Sequence, residues 1–264
     1  MTSSHVMDDN IRVADELIRQ AASQGAEFIL TPEMTTLLDF ESKQVLKKIT
    51  IERDTSWRHF SSLAKELGVW LLIGSIAIKV GKKATNKSFL FSPEGKKIAT
   101  YDKIHMFDVN LPGEDAYKES SVYVAGTEAV VASLPWGKVG LSICYDLRFP
   151  YLYRALSHAG AVMLTVPAAF TEQTGTAHWH ALLRARAIEN GAFVFAPAQC
   201  GKHTNGRRTY GHSLIVDPWG KIIGDGGNEI GVTVTEVNME QVVRARNSIG
   251  SLTHDKNIVI QTVS

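Results

Sequence analysis

Short apolar runs alternate with segments of helical periodicity along most of the chain, and this alternation restricts the fold more than any other feature of the sequence. Between residues 8 and 22 the apolar side chains recur every three or four positions, which predicts an amphipathic helix. The run AEFIL follows and is typical of a short buried strand. The same order returns with a predicted helix over about 57–67 and the apolar run GVWLLIGSIAI.

The rest of the chain continues the alternation and adds two predicted hairpins, KSFLFSPEGKKIAT and GHSLIVDPWGKIIG. Between them we expect strands in EAVVASL, KVGLSIC, GAVMLTVP and AFVFAP, a helix from about Pro150, and a helix in AHWHALLRARAIEN. Strands that alternate with helices, together with hairpins, predict an α/β fold with a mixed sheet. We expect one domain over residues 1–264, because no linker, low-complexity segment or repeat interrupts the pattern.

Composition and charge exclude several classes of protein. Hydrophobic residues make up 44% and charged residues 21% of the chain, as in ordinary globular proteins, and the net charge of +1 gives no reason to expect nucleic acid as a partner. No apolar run reaches the roughly 18 residues of a membrane span, and MTSSHVMDDN lacks a signal-peptide core. We therefore expect no membrane association, a cytoplasmic location, and free thiols at Cys144 and Cys200.

The stretch GKVGLSICYDLRFP places Cys144 where an apolar strand stops. Pro150 follows at a predicted helix start. At a strand-to-helix turn, a thiol faces backbone N–H groups that favour a thiolate and a developing oxyanion, so Cys144 is a candidate nucleophile. The alternative is a buried apolar thiol, which is a common fate of cysteine.

Glu33 and Lys103 are further candidates for a catalytic site. Glu33, in FILTPEM, directly follows a predicted strand and can act as a general base if burial raises its pKa toward neutrality. The alternative for Glu33 is a capping or salt-bridging carboxylate. Lys103, in YDKIHMFD, suits a site that stabilises negative charge, although a lysine in this setting can equally be a surface residue.

Other chemistry-bearing side chains give weaker signals. His178 and His180 are two positions apart and point to different faces of a helix, so they make a poor metal pair, and His178 is expected to be a structural or pocket-wall residue. Arg184 and Arg186 are candidates for binding a substrate carboxylate or for structural ion pairs. The sequence contains no serine nucleophile elbow, phosphate-binding glycine loop or zinc-type spacing.

Taken together and in this order, TPEM, YDKIHMFD and GLSICYDLRFP resemble the nitrilase, or carbon–nitrogen hydrolase, superfamily. The resemblance extends to PGEDAYKES, TGTAHWHALLRARAIENGAFVFAPAQCGKH and RTYGHSLIVDPWG, and so covers nearly the whole chain. AQCGKH and RRTYGHS look most like the branch that contains deaminated glutathione amidase, with the ω-amidase branch next. The resemblance implies a four-layer α-β-β-α sandwich with mixed β-sheets, and homodimers formed through helices near the nucleophile.

The resemblance also assigns roles to individual residues. It implies that Cys144 is the nucleophile, that Glu33 takes its proton, and that an acyl thioester forms and is hydrolysed. Lys103 and the backbone N–H of Tyr145 would hold the oxyanion, and Glu119 would orient Lys103 or the substrate. This mechanism needs no metal and no organic cofactor.

The implied activity is that of an amidase acting on a small-molecule carboxamide, with deaminated glutathione or a related α-keto acid amide as the leading substrate. Alternatives within the superfamily are an ω-amidase and an N-carbamoyl amidase, because the same three residues serve all of them. A non-catalytic member that binds a metabolite is the alternative from another class.

The sequence departs from the family pattern at three places. Family members usually begin with a core strand ahead of the segment that reads MTSS here, so we expect this strand to be short or missing and its neighbour to lose a ladder partner. Tyr151 stands where relatives often carry a glutamate, so an ion pair is expected to be missing. Cys200, in the branch signature AQCGKH, is expected to lie in a pocket wall or the core.

Overall fold

The computed structural model describes residues 1–39, 42–51, 56–112, 116–204 and 206–263. Residues 113–115, which belong to the segment PGEDAYKES, therefore lie outside the described residues. The helices are α1 (Met7–Ser23), α2 (Ser42–Ile51), α3 (Ser56–Leu67), α4 (Pro150–His158), α5 (Glu172–Thr174), α6 (His180–Asn190) and α7 (Glu240–Ser248). Within the described ranges, no helix combines the length and the apolar character needed to cross a bilayer.

Most of the strands belong to two sheets, and the others form short two-stranded ribbons. In chain order they are β1 (Phe28–Leu30), β2 (Trp70–Val80), β3 (Lys83–Phe91), β4 (Lys97–Asp102), β5 (Asp108–Val109), β6 (Tyr117–Lys118), β7 (Val130–Leu134), β8 (Gly137–Leu141), β9 (Ala161–Thr165), β10 (Phe193–Ala196), β11 (Cys200–Lys202), β12 (Arg208–Tyr210), β13 (Leu214–Val216) and β14 (Ile222–Asp225).

Both large sheets mix parallel and antiparallel pairs. The four-stranded sheet has the order β1-β2-β3-β4, in which only β1 and β2 run parallel. The six-stranded sheet has the order β14-β13-β10-β9-β8-β7, with β8, β9 and β10 parallel and the other pairs antiparallel. The expected α/β class and both predicted hairpins, β3–β4 and β13–β14, are therefore confirmed.

The two sheets pack face to face, with helices on their outer faces. Along β2, Leu71 and Ile73 join a buried cluster with Phe60 of α3 and Ile18 of α1. Leu72, which points the other way because side chains alternate along a strand, joins the cluster of the six-stranded sheet. The first helix layer therefore covers the face of β2 that carries Leu71 and Ile73.

The helices α4 and α6 form the second outer layer. A Cβ added to Gly140 of β8 would lie 3.0 Å from Leu156 of α4, so this helix sits directly on the strand, and glycine permits the approach. Leu183 of α6 is buried in the same cluster. The layers follow as α-β-β-α, and the expected sandwich is confirmed.

Several elements were not predicted from the sequence. The sequence analysis did not predict helices α2 and α7 or the ribbons β5–β6 and β11–β12. The strands of these ribbons have only two or three residues each and are too short to show a period. The helix predicted over residues 177–190 begins differently from the expectation. Its first turn is a π-helix, Gly175–Trp179, and α6 proper starts at His180.

Strand β1 lies at an edge of the four-stranded sheet. Among the described residues its ladder partner is β2. The strand lines a cavity of about 590 Å³, which also contacts α1, Trp136 and residues 231–237. Cys200 is buried at the wall of this cavity, as expected for a wall or core residue.

Candidate active site

The ends of three strands bring Glu33, Lys103 and Cys144 together. Glu33 follows β1, Lys103 follows β4, and Cys144 comes three residues after β8. The Lys103 Nζ lies 2.9 Å from the Glu33 Oε1, and the Cys144 thiol lies on the same cavity, close enough for the charge of Glu33 to act on it. Their side chains are buried, so the alternative of a surface lysine is wrong.

The Glu33 carboxylate accepts three hydrogen bonds from the described residues. Its Oε1 accepts from the Lys103 ammonium and from the Asn86 Nδ2, each at 2.9 Å, and its Oε2 accepts from the backbone N–H of Ala169 at 2.8 Å. Burial raises the pKa of Glu33, but the Lys103 ammonium and the hydrogen bonds from Lys103 and Ala169 outweigh it, so this pKa lies below its ordinary value. The expectation that burial brings this pKa toward neutrality is wrong, and Glu33 is an ionised carboxylate.

Lys103 is held between two carboxylates. Its Nζ contacts both oxygens of Glu119, at 3.0 and 2.8 Å, in addition to Glu33. Burial lowers the pKa of Lys103, but the charges of Glu119 and Glu33 outweigh it and raise this pKa well above its ordinary value. A permanent ammonium therefore stands beside the thiol. Glu119 is fixed in turn by the backbone N–H of Phe107, 2.7 Å from its Oε2.

Cys144 occupies an unusual backbone conformation. Its φ of 50° lies in the left-handed region, which costs a residue other than glycine about 1–3 kcal/mol and is concentrated at functional sites. Its N–H donates to the carbonyl of Pro167 at 2.9 Å, which fixes the turn against the end of β9. Burial and the negative charge of Glu33 raise the pKa of the thiol, so the resting group is Cys–SH and not a thiolate.

Two groups of this site were missed by the sequence reasoning. Asn86, in the middle of β3, donates from one Nδ2 to Glu33 at 2.9 Å and to Glu119 at 3.2 Å. A polar side chain in the middle of a buried strand is the feature that could have indicated a role for Asn86 in the site. The second group is the N–H of Ala169, a backbone group that no residue pattern reveals.

The site opens into a cavity of about 860 Å³, called here the Cys144 cavity. Tyr145 lies in the first turn of the 3₁₀-helix Cys144–Arg148, where N–H groups lack acceptors within the helix, and it lines the cavity. Charged side chains of both signs also line the cavity outside the reactive centre, namely Asp39, Lys118, Glu172, Arg207 and Arg208, and Arg208 pairs with Glu172 at 2.8 Å. The Cys144 cavity therefore combines a buried reactive centre with a lining of mixed charge.

The structure does not place His178 or Arg184 on the Cys144 cavity. The Nδ1 of His178 lies 3.3 Å from an Nη of Arg148. Arg184 instead donates from its Nε to the carbonyl of Gly220 at 2.8 Å, and Arg186 donates to the carbonyl of Leu147. Of the two alternatives for the arginines, the structural one fits these contacts.

An α-β-β-α sandwich whose strand ends bring together a thiol, a carboxylate and a lysine is the architecture expected for the superfamily named above. The sequence model of the family described as carbon–nitrogen hydrolase matches residues 6–247. The chain belongs to this family and is a carbon–nitrogen hydrolase.

Curated relatives are similar over almost the whole chain. A deaminated glutathione amidase of Synechocystis sp. is 42% identical over 259 residues, which cover 96% of this chain and 95% of that protein. A deaminated glutathione amidase of Yersinia enterocolitica is 38% identical, over 94% of this chain and 88% of the relative.

Solved structures show the same fold. The NitFhit protein of C. elegans superposes with a TM-score of 0.91 at 33% identity, and the match covers 97% of this chain and 63% of that one. Nit3 of Saccharomyces cerevisiae, a member of branch 10 of the nitrilase superfamily, gives 0.83 at 29% identity, covering 94% and 90% of the two chains. An amidase of Nesterenkonia sp. AN1, with acrylamide added at its active-site cysteine, gives 0.79 at 25% identity and 95% coverage of both.

Proposed function

We propose that this protein is an amidase that hydrolyses deaminated glutathione, or a related α-keto acid amide, through a thioester on Cys144. The observation that carries the proposal is the meeting of the Glu33 carboxylate, the Lys103 ammonium and the Cys144 thiol on one cavity. The names of the curated relatives support the choice of substrate. Lys118 and Arg207, two of the basic side chains on the Cys144 cavity, are candidates for binding a substrate carboxylate.

In the proposed acylation step, the Cys144 Sγ attacks the amide carbonyl while its proton moves to Glu33. Because the resting groups are a thiol and a carboxylate, the proton is transferred as the S–C bond forms. The Lys103 ammonium and the N–H of Tyr145 stabilise the oxyanion. Collapse of the tetrahedral intermediate breaks the C–N bond, and the amine leaves with the proton that Glu33 returns.

In the proposed deacylation step, water replaces the amine. Glu33 takes a proton from the water, the hydroxyl oxygen attacks the thioester carbonyl, and the same donors hold the second oxyanion. Collapse breaks the C–S bond, and Sγ regains the proton from Glu33. The products are a carboxylic acid and the free enzyme, and Glu119 keeps Lys103 in place throughout.

The decisive experiment compares the purified protein with two cysteine variants on deaminated glutathione. We expect release of a keto acid and a dipeptide, loss of turnover in Cys144→Ala, and retained turnover in Cys200→Ala, since Cys200 lies on the other cavity. Intact mass after addition of a slow substrate is expected to show an acyl group on Cys144. Equal activity in Cys144→Ala would sink the proposal.

A panel of amides decides among the superfamily alternatives. An ω-amidase or N-carbamoyl amidase would show its highest kcat/KM on a different substrate but the same dependence on Cys144. A non-catalytic binder would turn over none of the amides.

The proposal includes a cytoplasmic homodimer. Exposed apolar side chains on α4 and α6, Tyr151 and Ile188, lie on the helices next to the nucleophile turn and support a subunit contact there. The two free cysteines support a reducing compartment.

A further inference from the structure

Two histidines and an aspartate from separate segments meet on the surface, outside the Cys144 cavity. His180 begins α6, His212 lies between β12 and β13, and Asp225 ends β14. One ligand atom from each side chain lies within 4.8 Å of the others. The three residues are called here the His–His–Asp cluster.

The distances within the His–His–Asp cluster suit a bound transition metal. The Asp225 Oδ2 lies 3.1 Å from the His212 Nδ1 and 3.6 Å from the His180 Nε2. A tetrahedral zinc ion with bonds of about 2.0–2.1 Å separates neighbouring ligand atoms by about 3.4 Å. The two separations from Asp225 are therefore close to those of a bound zinc ion, and all three ligand atoms lie within 4.8 Å of one another.

The backbone holds His212 and Asp225 in place. His212 has a φ of 53°, and its N–H donates to Gly227 while its carbonyl accepts from the indole of the buried Trp179 at 2.8 Å. The N–H of Gly227 also donates to the Asp225 Oδ1 at 2.9 Å.

Tyr210 orients the remaining ligand. Its hydroxyl lies 3.4 Å from the Nδ1 of His180, which leaves the Nε2 facing Asp225. A second hydrogen-bonding group of this kind is the usual support of a metal-ligating histidine. The Tyr210 ring also stacks on His212, with centroids 4.6 Å apart.

We propose that the His–His–Asp cluster binds a divalent transition-metal ion of the zinc class, with water in the remaining position. Two imidazole nitrogens and one carboxylate oxygen favour such an ion over magnesium or calcium, which prefer oxygen ligands. The ion ties α6, the β12–β13 connection and β14 together.

The His–His–Asp cluster also contacts the wall of the Cys144 cavity through Tyr210. A Cβ on Gly175 would lie 2.3 Å from the Cβ of Tyr210, so the π-helical turn packs directly against this ring. Thr174 and Thr176, on either side of Gly175, line the Cys144 cavity. Metal binding is therefore expected to stabilise this wall without entering the reactive centre.

The test is a cobalt titration of the full chain carrying Cys144→Ala, which removes the thiol of the other cavity as a competing ligand. We expect saturable binding of one Co²⁺ per chain with a visible absorption band, displacement by Zn²⁺, and a rise in the thermal midpoint with Zn²⁺. His180→Gln, His212→Ala and Asp225→Asn are each expected to weaken binding about tenfold or more.

His158→Ala is the matched control, because His158 forms another exposed histidine–aspartate pair, with Asp255, and within the described ranges no third ligand lies close enough to complete a metal site there. It is expected to leave cobalt affinity unchanged. Circular dichroism checks that each variant folds, and the half-buried position of His180 makes His180→Gln the mildest change. If cobalt does not bind saturably, or binds equally well to the cluster variants, the residues form only an ion-pair network and the proposal is wrong.

Discussion

Asn86 holds the two carboxylates of the site at a fixed separation on either side of Lys103. Its Nδ2 is shared between Glu33 and Glu119, and the residue is fully buried. Two carboxylates repel one another unless donors lie between them. The amide therefore contributes to the site even though it takes no part in bond making.

We predict that Asn86→Ala lowers kcat/KM on the amide substrate by about 10- to 100-fold, because a hydrogen bond to a charged group contributes about 1.5–3 kcal/mol. Steady-state kinetics provides the measurement. Thr85→Val is the control on the same strand, since its buried hydroxyl has no hydrogen-bond partner in the described part of the chain. A loss in Thr85→Val as large as in Asn86→Ala would show that β3, and not the amide, is responsible.

The lowered pKa of Glu33 makes a prediction about stability and pH. In the unfolded chain Glu33 titrates near 4.5, and in the folded protein its pKa is lower, so the unfolded state binds the proton first. The stabilising contribution of Glu33 is present above pH 4.5 and is lost as pH falls toward the folded pKa. Urea unfolding at a series of pH values from about 6 down to about 3 should therefore show a steeper loss of stability in the wild type than in Glu33→Gln.

Glu128→Gln serves as the control, because Glu128 is exposed. Its pH dependence is expected to match that of the wild type. If Glu33→Gln also follows the wild-type curve, the Lys103 ammonium does not stabilise the Glu33 carboxylate in the way described.

At the level of elements, the turn that carries Cys144 is fixed by the buried carboxylate of Asp146. Its oxygens accept from the Tyr101 hydroxyl at 2.6 Å, from the N–H of Ile143 at 2.9 Å and from the N–H of His105 at 3.0 Å. These donors belong to β4, to the nucleophile turn and to the Lys103 loop. One side chain therefore joins the elements that supply Lys103 and Cys144.

We predict that Asp146→Ala lowers the free energy of unfolding by about 3 kcal/mol or more, because it leaves several buried donors without a hydrogen-bond acceptor. Denaturant unfolding measures the change. Asp9→Ala, at an exposed position in the first turn of α1, is expected to cost about 1 kcal/mol or less. Similar losses in the two variants would contradict the role given to Asp146.

The close approach of β2 to the end of β1 positions Glu33. A Cβ on Gly74 would lie 2.1 Å from the carbonyl oxygen of Thr31 and 2.4 Å from that of Pro32. These are backbone atoms, so the strands must separate to admit a methyl group. Glu33 follows directly and would move with them.

Gly74→Ala is therefore predicted to lower both the thermal midpoint and kcat. Thermal unfolding and steady-state kinetics measure the two effects. Gly231→Ala offers the matched control, since a Cβ there meets no atom within 4 Å and the residue lies in a loop. Wild-type kcat in a folded Gly74→Ala protein would show that this contact does not position Glu33.

At the level of the whole molecule, the exposed apolar side chains of α4 and α6 lead to a prediction about the proposed homodimer. Ile188 is 49% exposed on α6. If the proposed homodimer forms there, Ile188→Asp buries a charge at the contact and is expected to give monomers in light scattering coupled to size exclusion. Val243→Asp on α7, at a residue 59% exposed, is expected to leave the mass unchanged. A wild-type monomer would refute the proposed assembly.

The periodicity of the chain was sufficient to predict the α/β class, the hairpins β3–β4 and β13–β14, and the helices α1, α3 and α4. Apolar spacing reflects burial, and burial determined which side of each of these elements faces the core. The family resemblance gave the layer order. The same reasoning missed α2 and α7, and it missed the short ribbons because their strands have only two or three residues each.

The sequence by itself determined which residue types stand at the strand ends, Glu33, Lys103 and Cys144, because a strand that stops at a polar side chain is visible in the local pattern. Only the tertiary structure decided that Glu33 is ionised, because Lys103 lies 70 residues away along the chain and 2.9 Å away in space. Separation along the chain is also the reason why the sequence did not reveal Asn86 as part of the site, or the cluster of His180 with His212 and Asp225. Charges and hydrogen bonds act through space, and the fold sets those separations.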